Sequence, residues 1–191
     1  MPRKVDHQER RELLANALMN LAAARGLEGV SLRHVATEAG VSTGMVQHYF
    51  RTKDEMMTFA LGMVMDRIRE RSQAAAVPNS PRELVRALLL QVLPLDEPRR
   101  LENHVVLAFL AYAAVKPSIA SGLREDAAAM RTFLADQLRA AGADRADPER
   151  AAAGLLALVD GLGMQLLSQQ YAEQDAVAAL DAQLTLLFDR P

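Results

Sequence analysis

The segment that most restricts how this chain can fold is residues 31–55, which carries two short helix signals with a turn between them. Ser31 is a suitable N-terminal cap for the first helix, and Gly40 can adopt the left-handed conformation that ends it. Ser42 is a suitable cap for the second helix, so the turn is only about three residues long. Two helices joined by so short a turn are typical of the helix-turn-helix motif.

The second helix has an apolar side that should pack against the first. At about 100° per residue, Val46 and Phe50 fall on the same side. Together with Val41, they are expected to contact the preceding helix at Val35 and Ala36. This packing would hold the short helix by its inner side and leave its outer side free.

The outer side of the second helix carries residues that suit contact with DNA: Thr43, Gly44, Met45, Gln47 and His48. A glutamine can form two hydrogen bonds with adenine, and a methyl group can contact the methyl of thymine. A glycine lets backbone N–H groups approach a phosphate. The outer side therefore indicates a helix that reads DNA, and an exposed amphipathic hairpin that binds nothing is the alternative.

The spaced pattern AxxAGVSxGxxxHYFxxKxxM resembles the DNA-binding part of the TetR family of one-component repressors. It covers about the first third of the chain, and its fixed spacing makes it more specific than a short glycine motif. The matching positions are Ala36, Ala39, Gly40, Val41, Ser42, Gly44, His48, Tyr49, Phe50, Lys53 and Met56.

The resemblance implies a set of DNA contacts. Arg33 and Thr43 would lie at the edge of the groove, and Met45 and Gln47 would contact bases. Many relatives have tyrosine where this chain has Gln47, so the base read there is expected to shift toward adenine. The full expected contact set is Arg33, Ser42, Thr43, Gly44, Met45, Gln47, His48, Tyr49 and Lys53, of which His48, Tyr49 and Lys53 would face phosphates.

Charge is distributed unevenly along the chain, although its net value is only −2. Residues 1–53 carry eight Lys or Arg and five acidic residues, which leaves +3 there and −5 on the remainder. A basic amino-terminal part joined to an acidic body fits a DNA-binding protein whose other half has a different task. Chance clustering of charge is the alternative.

The composition excludes several classes of site and location. The chain has no cysteine, which excludes disulfides, thiolate metal sites and thiol nucleophiles. Its apolar runs are interrupted by charges before the roughly 18 residues of a membrane span, and no cleavable leader opens the sequence. We therefore expect a cytoplasmic protein with no membrane association, no metal and no cofactor.

Helix signals recur along the chain, and no segment keeps the two-residue alternation of a strand. We expect an all-α protein of nine helices, three in an amino-terminal helix-turn-helix domain and six in a larger body. Asp6 with Glu9 should cap the first helix, and Thr52 with Glu55 should cap the fourth. A helix is expected at residues 97–116. Its segment VVLAFLAYAAV is apolar nearly all round, which predicts that this helix lies in the middle of the body.

The body resembles the carboxy-terminal domain of the choline-responsive, betaine-pathway repressors within the same family. The segments that carry this resemblance are LVRALLLQVLPLDEPRRLENHVVLAFLAYAAV and LLALVDGLGMQLL. It implies a DNA-binding domain at residues 1–53 and a ligand-sensing and dimerisation domain at residues 54–191. Members with this domain need not share a ligand, so the effector is expected to be a small molecule of unknown identity.

The last two helices each carry an apolar stripe at helical spacing. The resemblance implies that two such helices from each of two chains form a four-helix interface in a homodimer. Glycines in the eighth helix fit a close approach by another helix. On the stripes alone, packing into each chain's own core is equally possible. The expected interface residues are Leu155, Leu158, Leu162, Leu166, Val177, Leu180, Leu184 and Leu187.

A ligand pocket should be mostly apolar with a few polar groups. The polar or bulky residues of the central helices form the candidate set: His104, Phe109, Tyr112, Met130, Phe133, Asp160, Met164 and Gln165. Each can equally be an ordinary core residue. Asp160 is the most informative of them, because a carboxylate among leucines needs a partner if it is buried.

The expected function is sequence-specific binding of double-stranded DNA, with release of a repressor from a palindromic operator by an effector. An enzyme is the first alternative, since His104 with Asp160 or Glu102 could form an acid–base pair. However, no serine elbow, metal-spaced histidine pair or phosphate-binding loop accompanies them. A helical adaptor that binds only protein is the second alternative.

Overall fold

The structure is a computed structural model that describes residues 3–26, 28–74, 79–142 and 147–189. Those residues form nine helices and no strand, which confirms the all-α class. The helices are α1 Arg3–Arg25, α2 Leu32–Glu38, α3 Thr43–Tyr49, α4 Lys53–Ala74, α5 Pro81–Val92, α6 Glu97–Val115, α7 Pro117–Ala140, α8 Pro148–Leu167 and α9 Glu173–Phe188.

Most helix starts lie where the sequence predicts them. The Ser31 hydroxyl accepts a hydrogen bond from the backbone N–H of His34 at 3.3 Å, and the Thr52 hydroxyl accepts one from Glu55 at 3.1 Å. The first helix is the exception, because α1 is already helical at Arg3. The predicted start at Asp6 is therefore wrong, and the side chain of Asp6 lies outside the described residues.

Three helices end at glycines in the left-handed region, as the sequence predicts. The φ angles are 73° at Gly26, 66° at Gly40 and 69° at Gly142. After α8 the chain instead places Gln169 in this region, with φ 58°. Gln169 is the one non-glycine residue of the described chain with a positive φ, and it follows closely on the end of α8 at Leu167.

The chain packs as two compact units. The first comprises Met1–Arg67 and His104–Ile119, and the second comprises Ile68–Asn103 and Ala120–Pro191. The units therefore divide α4 after Arg67 and α6 before His104. The predicted division after residue 53 coincides instead with the start of α4.

The core of the second unit is built from α5, α7, α8 and α9. Leu89, Leu134, Leu155 and Leu180 are buried there and belong to one apolar cluster. Glu102 is also buried, with 3% of its surface exposed. Both of its carboxylate oxygens accept hydrogen bonds from Arg71, at 3.0 and 2.7 Å, so this carboxylate is held by a structural ion pair.

The leucine stripes of α8 and α9 face this core. Five of the eight residues expected at the dimer interface are at most 6% exposed: Leu155, Leu162, Leu166, Leu180 and Leu184. Leu158 and Leu187 pack against the same cluster and are partly buried, as is Val177. This burial corrects the expected interface, because a side chain buried in its own chain cannot contact a partner.

Helix α6 is not buried all round, although its sequence is apolar. Val105, Phe109 and Ala113 are buried, whereas Leu110 is 38% exposed and Val115 is 79% exposed. The expectation of a fully central helix is wrong, because only one side of α6 contacts its neighbours. Because the sequence is apolar on both sides of the helix, it does not distinguish the buried side from the exposed one.

Among the described residues, α8 alone is long and apolar enough to cross a membrane by length and composition. Asp160 interrupts the apolar run of this helix, as expected of the apolar runs from the sequence. In the structure, Leu155, Val159, Leu162 and Leu166 of α8 pack into the core of the second unit. That packing explains the apolar composition of the helix.

Candidate nucleic-acid interface

The helix-turn-helix consists of α2, the turn at residues 39–42 and α3. The backbone N–H of Val41 donates to the carbonyl of Ala36 at 2.9 Å, which closes the turn onto α2. The Ser42 hydroxyl accepts a hydrogen bond from the backbone N–H of Met45 at 3.1 Å. A cap matters in a helix of seven residues, because the first N–H groups have no partner inside the helix.

The inner side of α3 is buried as predicted. Val46 and Phe50 are fully buried, and Val35 and Ala36 of α2 are at most 3% exposed. Val41 in the turn is partly buried. The apolar side of α3 therefore fixes which residues face outward.

The outer side of α3 is open to solvent. Met45 is 38% exposed, Gly44, Gln47 and His48 are exposed, and Thr43 is partly buried. The side-chain amide of Gln47 forms no hydrogen bond with the residues that the structure describes. Its two donors and its acceptor are therefore available to a ligand such as a base edge.

Tyr49, at the end of α3, contacts the rings of two histidines. Its ring centroid is 4.9 Å from that of His7, with an interplanar angle of 58°. It is 5.1 Å from that of His48, in an edge-on arrangement at 85°. His7 belongs to α1, and sequence reasoning did not single it out because the α1–α3 contact leaves no local pattern.

Arg11 of α1 packs against Phe50, the residue at which α3 ends. Its guanidinium carbon lies 4.7 Å from the centroid of the Phe50 ring and 4.3 Å from that of Phe59. The carboxylate of Glu55 is 3.8 Å away and accepts a hydrogen bond from the backbone N–H of Arg51 at 2.9 Å. One cation thus connects α1, the cap of α3 and α4.

Lys53, expected at a phosphate, begins α4 and is partly buried. Its ammonium lies 5.6 Å from the centroid of the Tyr112 ring, and this burial lowers the pKa of the Lys53 ammonium against the opposing influence of Asp54. Tyr112 donates a hydrogen bond to Asp54 at 2.8 Å and accepts one from Lys116 at 2.7 Å. Lys116 also forms an ion pair with Asp54.

That network gives Tyr112 a structural role, although it was expected in the ligand pocket. The hydrogen bond from Lys116, the largest influence, lowers the pKa of the Asp54 carboxyl. The same bond raises the pKa of Lys116. The hydroxyl of Tyr112 is therefore committed to Asp54 and Lys116 within the first unit.

The other expected pocket residues are distributed between the two units. His104 and Phe109 belong to the first unit with Tyr112, whereas Met130, Phe133, Asp160, Met164 and Gln165 belong to the second. Met130 and Phe133 pack against the apolar cluster of the second unit. Asp160 is exposed and Met164 is 55% exposed, which does not fit an internal pocket.

Asp160 is nevertheless in an unfavourable place for a charge. Loss of hydration beside its apolar neighbours raises the pKa of its carboxyl. It shares the outer side of α8 with exposed Gly154, Ala157 and Met164. Apart from the neighbouring backbone of α8 itself, no atom of the described residues lies within 4 Å of a Cβ placed on Gly154 or Gly161, whereas one on Gly163 would meet Asn103 at 3.0 Å.

Two protein-family profiles match the chain. One, described as bacterial regulatory proteins of the tetR family, matches residues 14–58. The other, described as the carboxy-terminal domain of BetI-type transcriptional repressors, matches residues 81–189.

Individual proteins resemble the chain over most of its length. The HTH-type transcriptional regulator PksA of Bacillus subtilis is 36% identical over 174 residues, which covers 87% of this chain and 83% of that protein. The crystal structure of a transcriptional regulator from Rhodococcus has a TM-score of 0.85 at 41% identity and covers 94% of this chain and 96% of that one. A structure from Saccharomonospora viridis in complex with choline has a TM-score of 0.77, covering 96% of this chain and 97% of that one, but at 22% identity it shows the fold alone.

Proposed function

This chain belongs to the TetR family of helix-turn-helix transcriptional regulators, and we propose that it occupies a palindromic operator as a homodimer until a small molecule releases it. Its family makes it a regulator and not an enzyme. Since its proposed ligand is chromosomal DNA, it would act in the cytoplasm. The observation that carries the proposal is the free outer side of α3 above a fully buried inner side.

The outer side of α3 would enter the major groove. Met45 and Gln47 would contact base edges, with Gln47 bonding adenine through its free amide. Ser42, Thr43 and Gly44 would bring the first turn of α3 close to the backbone. Further backbone contacts would come from Arg33, His48, Tyr49 and Lys53, so that phosphate contacts fix the register in which bases are read.

The homodimer would form through the outer sides of α8 and α9, since their leucines are used in the core. On α8 these are Gly154, Ala157, Gly161 and Met164, and on α9 they are Ala178, Ala182 and Leu186. Both sets repeat at helical spacing, and the small residues would permit two copies of α8 to approach closely. A four-helix interface of this kind would relate the two copies of α3 by one two-fold axis.

Two-fold symmetry in the protein requires a palindromic operator. The two copies of α3 would sit one helical turn of DNA apart, about 34 Å. An effector that binds more tightly to a conformation in which the two copies of α3 are spaced differently would increase the fraction of dimers that cannot bind the operator. Operator and effector would then weaken each other's binding by the same factor.

Selection of random duplexes by the purified chain tests the DNA-reading proposal. We expect a palindromic consensus, and Gln47→Ala should lose about 1–3 kcal/mol on it while relaxing preference at one base pair per half-site. Ser72→Ala, on α4 and away from α3, serves as the matched control. Equal losses for Gln47→Ala on consensus and scrambled duplexes would contradict base reading, and failure of the wild type to bind any duplex would contradict the whole proposal.

The effector is tested on the same duplex. Compounds are screened for release of the chain from its consensus, with choline as the first probe. An effector should also bind the free chain more tightly than the DNA-bound chain, by the factor by which it weakens DNA binding. Unequal factors would contradict the two-state coupling.

A further inference from the structure

We propose that His7 of α1 is a further DNA-contacting residue, which donates a hydrogen bond to a backbone phosphate beside the one reached by Tyr49. This inference rests on the proposed function, because it extends the same interface from α3 onto α1. It adds α1 to the helices that form the DNA interface. No motif in the sequence marks this position.

The position of His7 is set by the spacing of contacts along α1. His7 and Arg11 are four residues apart and therefore lie on one side of the helix. Arg11 stacks on Phe50 at 4.7 Å, and His7 lies against the adjacent Tyr49 at 4.9 Å. The buried contact at Phe50 thus anchors α1, and the next turn of α1 places His7 at the exposed edge of α3.

His7 and His48 both contact the ring of Tyr49. Their ring centroids lie 4.9 and 5.1 Å from that of Tyr49. Both histidines are exposed and Tyr49 is partly buried. None of the three forms a hydrogen bond with the residues that the structure describes, so their polar edges are free.

Free N–H and O–H groups on restrained rings are suited to phosphate contact. A histidine always carries at least one N–H donor, and a tyrosine hydroxyl can also donate. Rings that already pack against one another lose little conformational freedom when a ligand binds.

The substitution His7→Phe separates hydrogen bonding from stacking, because phenylalanine keeps a ring against Tyr49 and removes both ring nitrogens. We expect His7→Phe to weaken binding of consensus and scrambled duplexes by the same factor, about five- to tenfold for one lost hydrogen bond. Gln8→Ala, at the adjacent exposed position of α1, should bind as the wild type does. Thermal unfolding followed by circular dichroism should be unchanged for both.

Duplexes with a single neutral methylphosphonate identify the phosphate involved. At one position per half-site the wild type should lose affinity while His7→Phe loses no more than it already has. The inference is overturned if His7→Phe binds like the wild type, or if its deficit persists at every methylphosphonate position. Because wild-type binding is measured in parallel, absence of any DNA binding would refute the proposed function, whereas normal binding by His7→Phe would refute only the role of His7.

Discussion

The guanidinium carbon of Arg11 lies 4.3 Å from the ring centroid of Phe59, and the two side chains belong to different helices. The Nε atom of Arg11 is buried and has no hydrogen-bond partner in the described chain. Interaction with the faces of Phe59 and Phe50 therefore replaces part of the hydration that this cation loses. Arg11 therefore holds α1 against the end of α3.

Replacement of Arg11 by methionine should destabilise the first unit. Methionine keeps most of the length and apolar contact but removes the cation, which is worth about 1–2 kcal/mol over aromatic rings when partly desolvated. Urea denaturation followed by circular dichroism measures this loss. Arg25→Met, at an exposed position of the same helix, is the control, and an equal loss in both variants would show that the rings contribute nothing.

Lys53→Ala should weaken binding to every duplex alike. The reason is that Lys53 is proposed to contact a phosphate, which carries no sequence information. Its removal should also lower the slope of log affinity against log salt by about 1. Fluorescence anisotropy over a range of salt concentrations measures both, and a slope equal to that of the wild type would remove Lys53 from the backbone contacts.

A charge on the outer side of α8 or α9 should separate the dimer. Met164→Glu and Leu186→Glu each place a carboxylate on the proposed interface, at residues that are 55% and 43% exposed in the single chain. Because such positions tolerate charge in a monomer, the fold should persist while sedimentation equilibrium shows monomers. Thr132→Glu, at an exposed position of α7, should remain dimeric, and dimers in all three variants would place the interface elsewhere.

Asp160→Asn should stabilise the chain increasingly as pH rises. Loss of hydration raises the pKa of Asp160, so the folded chain retains a proton at pH values where the unfolded chain has lost it. The stability of the wild type therefore falls as pH rises through the interval between the two pKa values. Thermal midpoints of the variant and wild type should differ least at low pH and diverge as pH rises through that interval. A difference that is the same at every pH would contradict the shift. Asp126→Asn on α7 is the control.

Tyr112→Phe should lower stability at neutral pH, with an effect that decreases in acid. Its hydroxyl bonds Asp54 at 2.8 Å, and the pKa of Asp54 is lowered chiefly by the hydrogen bond from Lys116. A lowered pKa contributes stability that is present above the unfolded value and is lost as pH falls through the folded one. Thermal unfolding at a series of pH values measures this, and a pH-independent effect would mean that the hydroxyl acts without Asp54.

Local signals in the sequence predicted the helix-turn-helix well. The caps at Ser31 and Ser42 and the left-handed Gly40 were each correct, because a cap depends only on residues within one turn of it. The burial of Val46 and Phe50 was predictable for a related reason, since helical periodicity sorts the faces of a single helix. These features need no knowledge of distant parts of the chain.

Contacts between distant residues were not predictable in this way. The leucines of α8 and α9 form the same apolar stripe whether they face their own core or a partner, so Leu155 and Leu180 were misplaced. The hydrogen bond from Tyr112 to Asp54 was not predicted, because the two residues are 58 positions apart in the sequence. His7 was overlooked because only the packing of α1 brings it to Tyr49.

Because α3 is short, one chain can read only a few base pairs of DNA. Seven residues extend about 10 Å along the helix axis, which matches about three base pairs of duplex. A DNA sequence of that length recurs throughout any chromosome, which offers on the order of a million or more competing binding positions. In the proposed homodimer a second copy of α3 would square this selectivity, so much of the choice of binding site would come from the pairing of two chains.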